Sequence, residues 1–546
     1  MSKQNKFVMN TRKIKHIALL SAFLGTTTFS FQSCTDLHEQ VYSEALGSSI
    51  NPTEKDLPFI LAPAYASFRS LMFGWQGYFD LQEESADHII TPVRPNGWDD
   101  AGTYRRMHQH TWTSEEWQPY NTWQQAYASI TKANMVIMQI EDGTLNLPEE
   151  VGQAALAELR TARALAYYLL LDNHGNVPIV TDYRDDSLPD QKTRKELYDF
   201  VVKELTEVLP NLSEEVGTSM YGRLNRWGAK ALLAKIYLNA EVYTGTAQWQ
   251  KVIDEADDII KTNNYRLDDN YRSVFSSTNQ NSSEIIFAVP YDEIYGHGNQ
   301  LHMKSLDPLS RLVYAMAAGP WGGNCAVPQF IDTYDTDDSR LHDSWLQGPQ
   351  YHASTGVEVI NYLKHVPGIG GDGTIAASNA GYRLGKYEIK KGATTNLDND
   401  YPMFRYADIL MMKAEALLRT ARADEAAVLV TQVRRRAFLD NPEKAIVTGG
   451  DLQKGSTYNY GWQEKDGSVA TSNGGADIQY GRFLDELGWE FAAEARRRQD
   501  IIRFGVFQTK SWFNHRPHAK AQSRTLFPIP NAERTKNPKL DQNDDY

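Results

Sequence analysis

Stretch after stretch of this chain repeats apolar residues at spacings of three and four, with alanines in the seam. The clearest spans 149–173, where Ala155, Leu159, Ala162, Ala166 and Leu169 fall on one line. A second seam, Ala229, Leu233, Ile236 and Ala240, runs through 224–243. Such periods specify helices, and small seam residues let a partner helix come close. Helical periods also cover 53–73, 122–141, 193–209 and 247–261, then 401–418, 424–436 and 479–504. The pattern predicts a mainly α protein, a scaffold of tetratricopeptide-like helical hairpins.

The segment 401–418 is predicted as the helix on which the rest closes. Arg405, Asp408, Met412, Glu415 and Arg419 form one mostly polar stripe, and nearly everything else in it is apolar. A helix apolar over most of its circumference packs between neighbours.

Between 263 and 400 the helical period is lost, and Gly, Pro, Asn and aromatics dominate. A stretch this long is more than a linker. It reads as a loop-rich insertion on the scaffold, with short strands at 284–289 and 357–363. A second irregular run, 74–118, holds Trp75, Trp98, Trp112 and Trp117 between Gly and Pro and also reads as loop. Loops carry function more often than the elements they join.

The N-terminus reads as a processing signal. Arg12, Lys13 and Lys15 precede an apolar run at 17–31, which is too interrupted by Gly and Thr to span a membrane. The run ends at Ser33-Cys34, a small residue before a cysteine, which predicts a signal peptide at 1–33 and lipidation of Cys34. Met9 lies at a more usual distance upstream and is an alternative start. Loss of 1–33 removes five cations and no acids and takes the net charge from −13 to −18. That charge excludes nucleic acid as the main partner. Only Cys34 and Cys325 are present, so there is no disulfide framework.

Catalytic and metal motifs are absent. There is no G-x-S-x-G, H-E-x-x-H or P-loop. His108-x-His110 lacks a third ligand at helical spacing and reads as structural. Asp332, Asp335, Asp337 and Asp338 do not fit the EF-hand spacing; they read as a solvated turn, with a structural Ca²⁺ left open. Glu486, Glu490 and Glu494 share one helix face ahead of Arg497 and Arg498, the pattern of an ion-pair ladder. No metal and no cofactor is predicted.

Three spaced segments stand out: F-R-Y-A-D-I-L-M-M-K-A-E-A-L from Phe404; the run Glu486, Glu490, Phe491, Glu494, Arg497, Asp500, Ile501, Arg503 and Gly505; and the C-terminal Pro528-Ile-Pro530, Glu533, Asn537-Pro538, Leu540, Gln542-Asn543 and Tyr546. Together they resemble the SusD/RagB family of Bacteroidetes surface lipoproteins, with Ala495 in place of the family's Gly. The resemblance implies about four tetratricopeptide-like helix pairs. It implies a non-enzymatic glycan-binding lipoprotein, held in the outer membrane through Cys34 and facing the exterior. It also implies a partner, a SusC-like TonB-dependent transporter that receives the captured oligosaccharide or polysaccharide. The expected organisation is signal peptide 1–33, first scaffold part 34–262, insertion 263–400 carrying part of the ligand face, and second scaffold part with tail 401–546. A tetratricopeptide-type protein-binding scaffold and a glycoside hydrolase are the alternatives.

A sugar site needs tryptophans that are not spent on the core, because an indole face stacks on the C–H face of a sugar ring. Charged groups beside it take the edge hydroxyls. Trp98 and Trp321 lie in turn sequence, and Trp345 lies in the insertion. Asp80 and Arg383 are the nearest charged candidates, and Cys325 is placed in the pocket wall. The spacings Asp80…Trp98 and Cys325…Trp345 are similar to those of family members that bind β-fructans, a lean toward that ligand.

Overall fold

The computed structural model describes residues 52–72, 77–95, 98–471 and 473–546. The 1–33 signal and Cys34 lie outside the described residues. Eight helices form the scaffold. They are α1 (Leu57–Met72), α2 (Trp117–Glu141), α3 (Glu149–Asn173), α4 (Arg194–Val208), α5 (Arg226–Leu238), α6 (Trp249–Lys261), α7 (Tyr406–Arg419) and α8 (Ala423–Arg434). They pair in chain order, α1 on α2, α3 on α4, α5 on α6 and α7 on α8. Contacts of α2 with α3 and of α6 with α7 join one pair to the next. This is the tetratricopeptide-like fold that the alanine seams predict. Ala155, Ala162, Ala166 and Ala229 are at most 1% exposed, so the seams are where backbones approach. Thr193 caps α4 in a reciprocal capping box with Glu196. Among the described residues, no helix is long and apolar enough to cross a membrane.

Two expectations are corrected here. The segment 401–418 is not one helix: Tyr401–Arg405 is a strand, β2, paired antiparallel with β1 (Ile285–Val289). Pro402 gives no hydrogen bond to a helix and suits a short ladder. The segment 479–504 is also broken, into α9 (Gly481–Phe491) and α10 (Arg497–Arg503). Side chains capture the carbonyls around the break. Tyr271 Oη donates to the Glu490 carbonyl at 2.7 Å, Lys386 Nζ to that of Ala492 at 2.8 Å, and Tyr401 Oη to that of Glu494 at 2.9 Å. Ala493 and Ala495 take left-handed φ of 58° and 54°. That conformation favours glycine, which accounts for the Gly of the family pattern at 495.

The ion-pair ladder of α9 is buried. Arg405, with no exposure, donates to Glu284 (2.7 Å), Glu490 (2.8 Å) and Glu494 (2.9 Å). Arg436 and Arg340 reach Glu490 at 2.7 and 3.0 Å, and Lys386 pairs with Glu494. Burial alone would raise the Glu490 carboxyl, but the guanidiniums of Arg436, Arg405 and Arg340 hold it well below the carboxylate range. Removing one member of such a cluster leaves buried charge without a partner. Arg405→Met is expected to cost about 3–5 kcal/mol in urea unfolding. A loss below about 1 kcal/mol would show that the cluster does not hold the fold.

Candidate functional site

The run 74–118 is not all loop. It contains two short helices, Tyr78–Glu83 and Thr103–His108, beside the paired residues Ile89–Ile90 and Cys325–Ala326. Trp98 stands between those helices in the chain. Its ring lies 6.0 Å from Trp321 at 18° and 6.2 Å from Tyr104 at 27°. The three rings therefore make an offset, nearly parallel series. Trp98 and Trp321 are half-buried, and Tyr104 closes the inner end.

Beneath the rings sits buried charge. Lys304 Nζ lies 4.6 Å from the centre of the Tyr104 ring and pairs with Asp80, with Glu84 at 3.7 Å. Lys304 belongs to the short helix Leu301–Ser305, and that helix carries the Trp321 loop. Trp321 N donates to Met303 O at 2.6 Å, and Gly323 N to Lys304 O at 2.8 Å. Arg383 donates to the carbonyls of Gly323, Asn324 and Ser378. Cys325 extends the same loop into its ladder with Ile90.

The structure thus brings five of the six expected residues into one neighbourhood, in two different roles. Trp98 and Trp321 keep part of their surface exposed. Asp80, Cys325 and Arg383 are at most 1% exposed, so their expected contact with ligand is corrected: they build the seat under the rings. Trp345 is corrected outright. It is 1% exposed, packs edge-on against Phe330 at 6.2 Å, and donates through Nε1 to Tyr334 Oη at 3.3 Å. It is a core residue, and its ladder partner Leu384 is buried with it.

At the rim, Asp99 and Arg105 form an ion pair of 3.1 Å with side chains 42% and 26% exposed. Gly102 and Gly371, both at positive φ, leave the Arg105 guanidinium its place: a Cβ on either would come within 3 Å of it. Lys304, Tyr104, Asp99 and Arg105 were missed in the sequence; the turn residues around Trp98 signal the last three, and nothing signals Lys304. Tyr295, 89% exposed, tips a tight loop closed by Asp292 and Gly296.

Other candidates resolve into structure. His108 and His110 are buried against Phe513, Phe507 and His515, and desolvation lowers both imidazoles, His108 to about 4. Asp335 and Asp337 pair with Lys444, Asp332 with Lys364, and Asp338 with Arg340. Among the described residues no three metal-ligating side chains converge. A cavity of about 460 Å³ lies between α1, the turn at 218–223 and β1. Its wall is mainly apolar and holds none of the expected residues.

Glu84 lies in the seat beside Lys304, and the adjacent Glu83 accepts from Arg496 N at 3.1 Å; neither has any exposure. Burial pushes both carboxyls up, each to about 7. A folded pKa above the unfolded 4.5 contributes stability below pH 4.5 that is lost as pH rises through 7. Glu83→Gln should therefore stabilise the protein at pH 8 by roughly 2–3 kcal/mol and change little at pH 4. Equal effects at both pH values in urea titrations would refute this protonation.

The chain resembles known proteins along most of its length. Residues 283–546 match the model of the SusD family, and residues 80–238 match the model described as starch-binding associating with outer membrane. The starch-binding protein SusD of Bacteroides thetaiotaomicron is 23% identical over 71% of this chain and 72% of its own. SusD-like protein P25 of Formosa agariphila is 23% identical over 94% and 96%. Among solved structures, a SusD-like protein of Bacteroides fragilis superposes with a TM-score of 0.68 at 18% identity, over 92% of this chain and 100% of that one. Surface glycan-binding protein A of Bacteroides thetaiotaomicron, in complex with laminarihexaose, superposes with 0.67 at 18%, over 90% and 100%.

Proposed function

We propose, for a chain that belongs to the SusD/RagB family, that it captures glycan at the cell surface on the Trp98–Trp321 stack. The family binds carbohydrate and is not catalytic. The observation that carries the reading is two half-exposed, nearly parallel indoles over a rigid, buried seat. Such a surface offers aromatic faces to sugar rings, and Asp99 with Arg105 supplies hydroxyl partners at the rim. The hydrolase alternative loses its carboxylates, since Glu486, Glu490 and Glu494 are consumed in buried ion pairs.

The relatives named for a ligand are a starch-binding protein and proteins that bind laminarihexaose or laminarin. The lean toward β-fructan rested on spacings that include Asp80, Cys325 and Trp345, all now interior. The ligand class is therefore approached with starch, laminarin and a β-fructan as probes. Trp98→Ala and Trp321→Ala should each weaken binding of the probe that the wild type takes, by about 2 kcal/mol in titration calorimetry, with small changes in melting. Trp345→Ala should lower the melting temperature instead, as a buried Trp→Ala costs about 3–5 kcal/mol, and leave the folded fraction binding normally. Normal binding by both Trp98→Ala and Trp321→Ala would remove the stack from the site.

Delivery to a SusC-like TonB-dependent transporter, and outer-membrane anchoring through Cys34 with the protein facing outward, complete the proposal. The Ser33-Cys34 signal and the family support them. Cys34→Ser should move the chain out of the membrane fraction. The wild type, extracted in mild detergent, should bring a large β-barrel transporter with it. A Cys34→Ser chain that still sediments with outer membrane, or a wild type recovered alone after crosslinking, counts against the respective half.

A further inference from the structure

Two arginines in the seat have no carboxylate. Arg94 is 2% exposed and Arg383 is fully buried. Arg94 donates to the carbonyls of Gly323 (3.0 Å), Ala377 (2.8 Å) and Ala380 (2.9 Å). Arg383 donates to those of Gly323 (3.3 Å), Asn324 (3.0 Å) and Ser378 (2.6 Å). Among the described residues, neither forms an ion pair. Two buried like charges without a counterion are costly. Burial, and then the charge of Arg383, lower the Arg94 guanidinium to about 9. A fold that keeps such a pair needs the geometry that the pair imposes.

That geometry is specific. Arg94 is on the segment that leads to Trp98, and the carbonyl it shares with Arg383 belongs to Gly323, two residues after Trp321. The two guanidinium forks meet at the Gly323 carbonyl of the Trp321 loop and reach separate carbonyls of the 377–380 loop. Gly323 is also the floor of the stack. A Cβ there would lie 2.7 Å from Lys304 O and 3.0 Å from Trp98 Cε2, distances that require something to shift.

We infer that Arg94 and Arg383 are positioning residues, a two-guanidinium clamp on the Gly323 carbonyl that sets the spacing of the Trp98 and Trp321 rings. They do not touch ligand. Planar forks can each grip two or three carbonyls at once, whereas an ammonium presents a single point of charge. The clamp fixes the platform before a sugar arrives, so that ordering is not a cost at binding. The functional part of this inference rests on the stack being the glycan site; the geometric part does not.

The test separates the two. Indoles at this distance couple excitonically wherever their in-plane transition dipoles are skewed, and the couplet is read in circular dichroism without ligand, as wild type minus Trp98→Phe. In Arg94→Lys and Arg383→Lys, which keep the charge, the couplet should shrink by half or more while the helical signal persists. Gly323→Ala approaches the same seat from the other side and should do the same. Binding of laminarin, starch or β-fructan in affinity electrophoresis should weaken roughly ten-fold in these variants, about 1.4 kcal/mol. An undiminished couplet in folded Arg→Lys variants and in Gly323→Ala overturns the clamp. Should the Arg→Lys chains not fold, Arg94→Gln and Arg383→Gln, which keep a planar donor without the charge, take their place and are read in the same way. A couplet lost in these variants, with no probe bound by the wild type, sustains the clamp and counts against the glycan site.

Discussion

Arg405 stands without solvent exposure among Glu284, Glu490 and Glu494, and it joins parts of the chain that are far apart. Glu284 immediately precedes β1, Arg405 ends β2, and the other two glutamates flank the end of α9. Arg340 and Lys386, both from the segment between α6 and α7, enter the same cluster. That segment is therefore not an appendage. Its charges complete a network that the scaffold cannot satisfy alone, and unsatisfied buried charge is among the largest single penalties a fold can carry. The break between α9 and α10 follows from the same demand, since the donors that satisfy the cluster also take the local carbonyls.

The helical scaffold was legible because its signals are local. The span 149–173 coincides with α3, whose alanine seam and Gly175 stop are written in adjacent residues. The errors fall where distant residues decide. Tyr401–Arg405 looks helical on its own, because an apolar run suits either period; its partner strand lies more than a hundred residues earlier. Nothing local shows that Tyr271 and Lys386 will interrupt 479–504.

The same division runs through the site. Trp98 and Trp321 are partly exposed, as expected, because Gly, Asn and Pro around them announce turns. Trp345 was misplaced because a tryptophan in an irregular segment carries no mark of which way it faces. Asp80 and Arg383 were in the right neighbourhood but have the opposite orientation. Lys304 and Arg94 have no sequence signal at all, since a buried cation is recognisable only by what surrounds it.

The seat is assembled from segments remote in the chain: the hydrogen bond from Arg94 to Gly323 spans 229 residues, and that to Ala380 spans 286. Contacts of such separation form late, after the entropy of closing long loops has been met. The helix pairs, whose contacts are mostly between neighbours, can form first. The stack is then among the last features to appear in the maturing molecule. A partly folded copy would have helices but no stack, so on the proposed reading glycan capture belongs only to molecules whose chain has closed from end to end.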